Sequence, residues 1–337
     1  MKAIGYLQAL PITHPESLID LQLPDPEPGP RDLLVRVSAV SVNPVDTKVR
    51  RSRTPQPGRP EVLGWDAVGV VEALGPAVEG FAVGDRVYYA GAINRPGSNA
   101  ELQLVDHRIA ARAPRSLSDA EAAALPLTAI TAWELLFDRL GVAEGGGDGD
   151  NLLVVGAAGG VGSILVQLAR QLTRLHIIGT ASRPETRAWV EALGAHAVVD
   201  HSQPLRAQLV AAGVPEVGYV ASLTHTDQHW AALVDVAAPQ GRIGLIDDPA
   251  SPLDVMLLKR KALSLHWEMM FARPVFGTAD VAEQGRLLAR VATLVDEGRL
   301  ISTVSEQLSP INAANLRRAH ERVESGRMRG KLVLSGF

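Results

Sequence analysis

The chain contains no cysteine. That absence excludes disulfides, thiolate nucleophiles and any zinc site built on sulfur ligands. Neither sign of charge dominates: 33 Lys and Arg stand against 37 Asp and Glu, a net charge of −4. No basic excess therefore points to nucleic acid or to a membrane surface. No segment approaches the roughly 18 uninterrupted apolar residues of a transmembrane helix, and the opening Met1-Lys2-Ala3-Ile4-Gly5-Tyr6 has no apolar run of signal-peptide length. A cytoplasmic location is the expectation by default. What is present is ordinary: 337 residues, 46% of them hydrophobic, enough for two domains each with its own core.

Residues 151–169 organise the middle of the chain. Leu152-Leu153-Val154-Val155 run into Gly156-Ala157-Ala158-Gly159-Gly160-Val161-Gly162, and this turn leads into an amphipathic helix. Strand, tight turn and helix in that order suit a dinucleotide pyrophosphate. Small residues let the backbone approach the phosphates, and the helix N-terminus presents unpaired N–H groups with a partial positive charge. The glycines lack the standard G-x-G-x-x-G spacing, so taken alone the turn also fits a purely structural strand-to-helix connection. Regular alternation follows, with strands at 151–155, 175–180, 197–200, 217–221 and 241–246 and helices at 160–173, 184–194, 203–212 and 226–237. Such alternation requires a parallel sheet covered by helices on both faces, with ligands at the carboxyl ends of the strands.

The end of the second of these strands bears on the ligand. In NAD-binding units an acid about 20 residues past the glycine turn accepts hydrogen bonds from the ribose 2′-OH and repels a 2′-phosphate. Here Leu175-His176-Ile177-Ile178-Gly179-Thr180 ends in Ala181-Ser182-Arg183-Pro184, and no acid appears before Glu185, inside the next helix. Ser182 and Arg183 offer a hydroxyl and a guanidinium where a 2′-phosphate would lie, a charge-assisted contact of about 1.5–3 kcal/mol. NADP(H) is preferred over NAD(H) on this reading; the alternative is that Arg183 merely faces solvent.

The first third is rich in Pro and Gly, with short β-type runs at 33–37, 68–73, 86–90 and 101–105. These predict an irregular β-barrel-like domain. Three stretches in it combine polar and aromatic groups: Ser41-Val42-Asn43-Pro44-Val45-Asp46, Leu63-Gly64-Trp65-Asp66, and the loop from Tyr88-Tyr89 to Asn99. Each also reads as a turn or a core aromatic. Helical spacing appears at 119–125, at 126–136, at 278–297 and at 312–324; strands are expected at 261–267, at a sheet edge, and at 331–334.

With these pieces placed, the chain resembles the medium-chain dehydrogenase/reductase superfamily, and within it the zinc-free quinone oxidoreductase group related to zeta-crystallin. It looks closest to members labelled zinc-type alcohol dehydrogenase-like. The residues that carry the resemblance are Asn43-Pro44-Val45-Asp46, Leu63-Gly64-Trp65-Asp66, residues 90–101, the Gly156 to Gly162 turn, Leu223-Thr224-His225-Thr226-Asp227-Gln228-His229-Trp230, and Gly326-Arg327-Met328-Arg329-Gly330-Lys331-Leu332-Val333-Leu334. The resemblance implies an α/β chain in which a GroES-like β-barrel-type catalytic domain, residues 1–124 and 270–337, encloses a Rossmann doubly wound domain, residues 125–269, with the active site in the cleft between them.

It implies a set of contacts as well. Gly159, Gly160 and Val161 would present N–H groups to the pyrophosphate; Thr180, Ser182 and Arg183 would surround the adenosine ribose; His201, Leu223, Thr224 and Ile246 would follow the later strands; Arg329 and Lys331 would reach the cofactor from the C-terminal segment. Asn43 and Thr128 would lie by the nicotinamide and the substrate oxygen as donors, and Tyr89, Trp65 and Trp267 would shape a pocket for a flat acceptor. Zinc-dependent members place a Cys at Asn43 and Gly-His-Glu at Gly64-Trp65-Asp66, so no metal is expected; Asp46 and Asp66 alone make a poor zinc set. The implied reaction is hydride transfer from NADPH to a quinone or an α,β-unsaturated carbonyl, by a homodimer paired through the sheet edge. A zinc alcohol dehydrogenase and a non-catalytic, crystallin-like NADPH-binding protein are the alternatives.

Overall fold

The computed structural model describes residues 1–337. The chain divides into two compact units, Met1–Ile130 with Phe271–Phe337, and Thr131–Met270. The first boundary falls at 130 rather than 124 because the start of a helix belongs to the first unit: the Leu127 N–H donates to Asp66 Oδ1 at 2.7 Å.

In chain order, the first unit contains strands β1 (Lys2–Tyr6), β2 (Ile19–Gln22) and β3 (Asp32–Val42), helix α1 (Pro44–Ser52), strands β4 (Glu61–Val62), β5 (Ala67–Leu74), β6 (Arg86–Tyr89), β7 (Leu102–Asp106) and β8 (Ala110–Arg112), and helices α2 (Asp119–Ala123) and α3 (Pro126–Trp133), the last running past the boundary. The second unit holds β9 (Asn151–Val155), α4 (Gly160–Leu172), β10 (His176–Thr180), α5 (Pro184–Ala192), β11 (Ala197–Val199), α6 (Leu205–Ala211), β12 (Val217–Ser222), α7 (Thr226–Val236), β13 (Ala237–Leu245) and β14 (Ser264–Trp267). The chain then returns to the first unit with α8 (Ala272–Phe276), α9 (Glu283–Asp296), β15 (Val304–Leu308), α10 (Ala313–Glu324) and β16 (Lys331–Ser335).

The first unit is built on a seven-stranded sheet with the path β15-β16-β3-β5-β6-β8, β7 also pairing with β3. Strand β3 is its spine, since alternate residues Leu33, Val35 and Val37 are buried while Arg36 between them is exposed. A smaller sheet, β2-β1-β4, lies beside it in the same unit. The C-terminal β16 enters antiparallel to β3, pairing Leu332 with Val42 and Val333 with Ser41.

The second unit is a six-stranded parallel sheet in the order β11-β10-β9-β12-β13-β14. The middles of its inner strands are apolar because both faces are covered: Leu153, Ile178, Val220 and Ile243 are fully buried. The order reverses between β9 and β12, the switch point at which doubly wound sheets take ligands. After α3 the helix widens into a π-type turn, Glu134–Arg139. By length and composition the helical stretch Asp119–Arg139 could cross a membrane, although polar residues interrupt it; 83% of its apolar window is buried in the protein, the setting of a core helix.

Replacing Leu153 by Ala, at the centre of the parallel sheet, is expected to destabilise the second unit by about 2–5 kcal/mol, read as a fall in its thermal unfolding temperature; a loss below about 1 kcal/mol would contradict the packing.

Candidate functional site

The glycine turn lies at the carboxyl end of β9, beside the switch point. Gly156 adopts φ +79°, and a Cβ there would meet Thr224 Cγ2 at 2.9 Å, so both backbone and space demand glycine. A Cβ at Gly162 would come within 2.5 Å of the Gly156 oxygen, which is how the first turn of α4 packs onto the loop. Gly159 caps α4 with extended backbone and without a side-chain cap. The first-turn amides of Gly160 and Val161 have no intrahelical acceptor and lie on half-exposed residues. The N-terminus of α7, by contrast, is filled by the protein itself: Asp247 accepts the Thr226 N–H at 2.9 Å and its hydroxyl at 2.5 Å. A bare, glycine-lined helix start at the switch point fits a dinucleotide pyrophosphate.

The structure places the remaining expected cofactor residues of this unit around the same strand ends, with different duties. Thr180 is buried, and its hydroxyl accepts the Gly156 N–H at 3.1 Å, so it props the turn instead of facing a ribose. Ser182 is exposed. Arg183 starts α5 and pairs with Glu185 at 3.3 Å, so the guanidinium already has an anionic neighbour. His201 follows β11, its ring edge-on to His229 at 5.8 Å, and its Nδ1 has no hydrogen-bond partner. Burial, with His201 and His225 nearby, lowers the pKa of His229. The Leu223 N–H donates to the Val155 oxygen at 3.2 Å, Thr224 Oγ1 bonds His225 Nδ1 at 2.7 Å, and Ile246 follows β13 half-buried. Trp267 ends the edge strand β14 and is 53% exposed.

In the first unit the expected catalytic residues form something else. Asn43 is 1% exposed, and its Nδ2 donates to Asp66 Oδ2 at 2.8 Å while its Oδ1 accepts from Lys331 Nζ. Lys331, itself 3% exposed, pairs with Asp66 Oδ2 at 3.0 Å and donates to the Val42 oxygen at 3.3 Å. Asn43 is therefore not a free donor to a substrate, and Lys331 does not reach out to a cofactor, because the interior requires every one of these groups to be paired. Asp46 joins the cluster as a helix cap: its Oδ2 accepts the Asn43 N–H at 2.7 Å, completing a capping box on α1. Burial pushes the Asp46 carboxyl up to about 7, against the opposing Asn43 amide and Lys331 charge. Burial also raises Asp66, opposed by Lys331 and by the N–H groups of Leu127 and Asn43.

Thr128 is buried and donates its hydroxyl to the carbonyls of Ala124 and Leu125, at 3.3 and 3.1 Å, so its proton is spent within its own helix. Tyr89 is fully enclosed, its hydroxyl unpartnered, and burial raises its pKa; it is a core residue and does not line an open pocket. Trp65 is likewise enclosed, its Nε1 donating to the Ala92 oxygen at 3.3 Å and its ring edge-on to Phe271 at 6.0 Å. Arg329 is half-buried, and its carbonyl accepts from Ser305 Oγ.

Sequence reasoning passed over a second buried acidic group, in the second unit. Glu268, next to Trp267, accepts from Arg139 Nε at 2.8 Å, and Arg139 lies 3.6 Å from the buried Glu134. Burial and the Glu134 charge raise the Glu268 carboxyl. No spacing in the sequence signals it, since 134 and 268 meet only through the fold.

Residues 29–115 match the alcohol dehydrogenase GroES-like domain and residues 193–334 the zinc-binding dehydrogenase family. A zinc-type alcohol dehydrogenase-like protein of Staphylococcus aureus (strain MSSA476) is 38% identical over 337 residues, covering 99% of this chain and all of its own length. The crystal structure of a protein assigned as a zinc-dependent alcohol dehydrogenase from Rhizobium etli CFN 42 is 58% identical, with a TM-score of 0.96 over 100% of this chain and 98% of that one. A quinone oxidoreductase of Pseudomonas aeruginosa is 30% identical over 316 residues, 91% of this chain and 92% of its own. The zinc in the first two names is not matched by the donors found here. An amide and two carboxylates, with an ammonium bonded among them and no Cys or His, do not make a zinc site.

The raised Asp46 pKa sets a pH dependence. The folded state holds this proton up to about pH 7 while the unfolded chain releases it near 3.8, so its contribution to stability is lost as pH rises between these values. Asp46→Asn, which keeps an acceptor for the cap, is expected to gain several degrees in melting temperature relative to the wild type between pH 5 and pH 8. A difference that stays constant with pH would show that this carboxyl is not buried as described.

Proposed function

The chain belongs to the medium-chain dehydrogenase/reductase superfamily, whose members are nicotinamide-dependent oxidoreductases, and from that premise we propose that it is an NADPH-dependent reductase of quinones or α,β-unsaturated carbonyls. The observation that carries this reading is the bare N-terminus of α4 at the switch point, with Ser182 and Arg183 at the end of the next strand. When bound, NADPH supplies a hydride from nicotinamide C4 to an electron-poor carbon.

The chain's own residues do the rest. Gly160 and Val161 would hold the pyrophosphate through backbone amides and Arg183 would pair with the 2′-phosphate in place of Glu185, while Thr180 keeps the turn in shape. The first unit offers a neutralised, pre-formed polar interior instead of a Lewis acid, which favours acceptors that need no activation and disfavours alcohol oxidation. Solvent supplies the proton. The 30% identity to a quinone oxidoreductase over most of both chains supports the acceptor class. We further propose a homodimer. Strand β14 has a neighbour on one side only, and Trp267 and Met269 beside it are 53% and 52% exposed, an edge that a second copy would cover.

Oxidation of NADPH measured against quinones, enones, aldehydes and alcohols, with NADH in parallel, is expected to show turnover with the first two classes and preference for NADPH. Arg183→Ala is expected to raise KM for NADPH about tenfold more than that for NADH, and Glu185→Gln to lower it. Faster reaction with NADH, or equal effects on both cofactors, would move Arg183 away from the phosphate; NADPH binding without any turnover would favour a binding protein.

In the dimer, Trp267→Lys is expected to convert a species of about twice the chain mass to a monomer in sedimentation analysis. A monomeric wild type would refute the paired edge.

A further inference from the structure

The cluster around Lys331 is chemically complete without any ligand. A lysine ammonium has three donors, and this one has three oxygen acceptors: Asn43 Oδ1, Asp66 Oδ2 at 3.0 Å and the Val42 carbonyl at 3.3 Å. No donor is left for a substrate or a cofactor. The acceptors come from Val42 and Asn43, where β3 passes into α1, and from Asp66 before β5, so two separate stretches of chain converge their oxygens on one buried point. Convergence of a carboxylate, an amide oxygen and a backbone carbonyl is how proteins hold a hard cation. A second buried carboxylate, Asp46, lies within the electrostatic reach of both Lys331 and Asp66, and its Oδ1 has no partner.

We propose that the Lys331 ammonium is the resident cation of this site, standing among the oxygens of Asn43, Asp66 and Val42 where a metal ion would otherwise be held, and that it is what keeps divalent cations out. The zinc of the relatives' names is replaced by a charge tethered to the C-terminal strand. Such a charge cannot be lost to a chelator, and it cannot bind a substrate oxygen, since its donors are all used. Lys331 is therefore a positioning residue: it fixes which way the Asn43 carboxamide points and neutralises Asp66. The inference depends neither on the identity of the acceptor nor on NADPH.

Mn2+ binding to the full-length protein, followed by electron paramagnetic resonance and by melting temperature, tests it. Wild type and Asp66→Asn are expected to bind Mn2+ alike, with no shift in melting temperature for either. Lys331→Ala is expected to gain about one Mn2+ per chain, to melt several degrees higher when Mn2+ is present, and to lose both properties when Asp66→Asn is added. An Asp66-dependent Mn2+ site in the wild type, or no gain in Lys331→Ala, would overturn the proposal. Should Lys331→Ala not fold with or without Mn2+, the decision passes to Lys331→Met, Asp66→Asn and their double variant. A double variant that melts above Lys331→Met, or folds where that variant does not, supports the ammonium as counter-cation; one no more stable than Lys331→Met overturns it.

Discussion

A buried ammonium bonded to a carboxylate and an amide ties the first unit together. Lys331 begins the last strand of the chain, Asn43 and Val42 lie where the spine strand meets α1, and Asp66 precedes β5 and holds the first turn of α3 through the Leu127 amide. Four pieces of sequence separated by up to 289 positions therefore share one set of charges. Transferring such charges from water is costly unless each is paired, and removing one partner from a buried pair typically costs about 3–5 kcal/mol. The GroES-like unit is discontinuous, and this cluster, with the β3–β16 ladder, joins its two parts.

The second unit obeys a different constraint. A parallel sheet requires crossover helices, and crossovers on both faces create a switch point, here between β9 and β12. What makes that point a binding site is an omission. The helix α4 starts on glycines with its amides unfilled, whereas α7 beside it is closed by Asp247. Thr180, buried beneath the turn, supports the glycine loop through the Gly156 amide. One unit thus leaves its donors free for a ligand while the other has consumed them internally, a division of labour consistent with a protein that orients a reactive cofactor and adds little chemistry of its own.

Much of the architecture was legible in the order of residues. Strand β9 and the starts of α4, α5 and α7 fall where apolar runs, glycines and Pro184 place them, because periodicity and turn chemistry are local properties. The capping box of Asn43 and Asp46, a local spacing of three residues, emerged only with the structure. The site was legible only in outline. Asn43, Thr128, Tyr89 and Lys331 were all expected to face ligands, and all four are buried with their polar groups turned inward or left unpartnered.

The sequence by itself determined the parallel αβ unit, the glycine turn and the absence of sulfur ligands, since each follows from composition or from neighbours within one turn or strand. Only the tertiary structure decided that Lys331 meets Asp66 and Asn43 and that Glu268 lies by Glu134. Charge pairing across hundreds of residues depends on where strands are threaded, and burial turns a polar side chain from a ligand into a partner; neither is written in any local stretch of the chain.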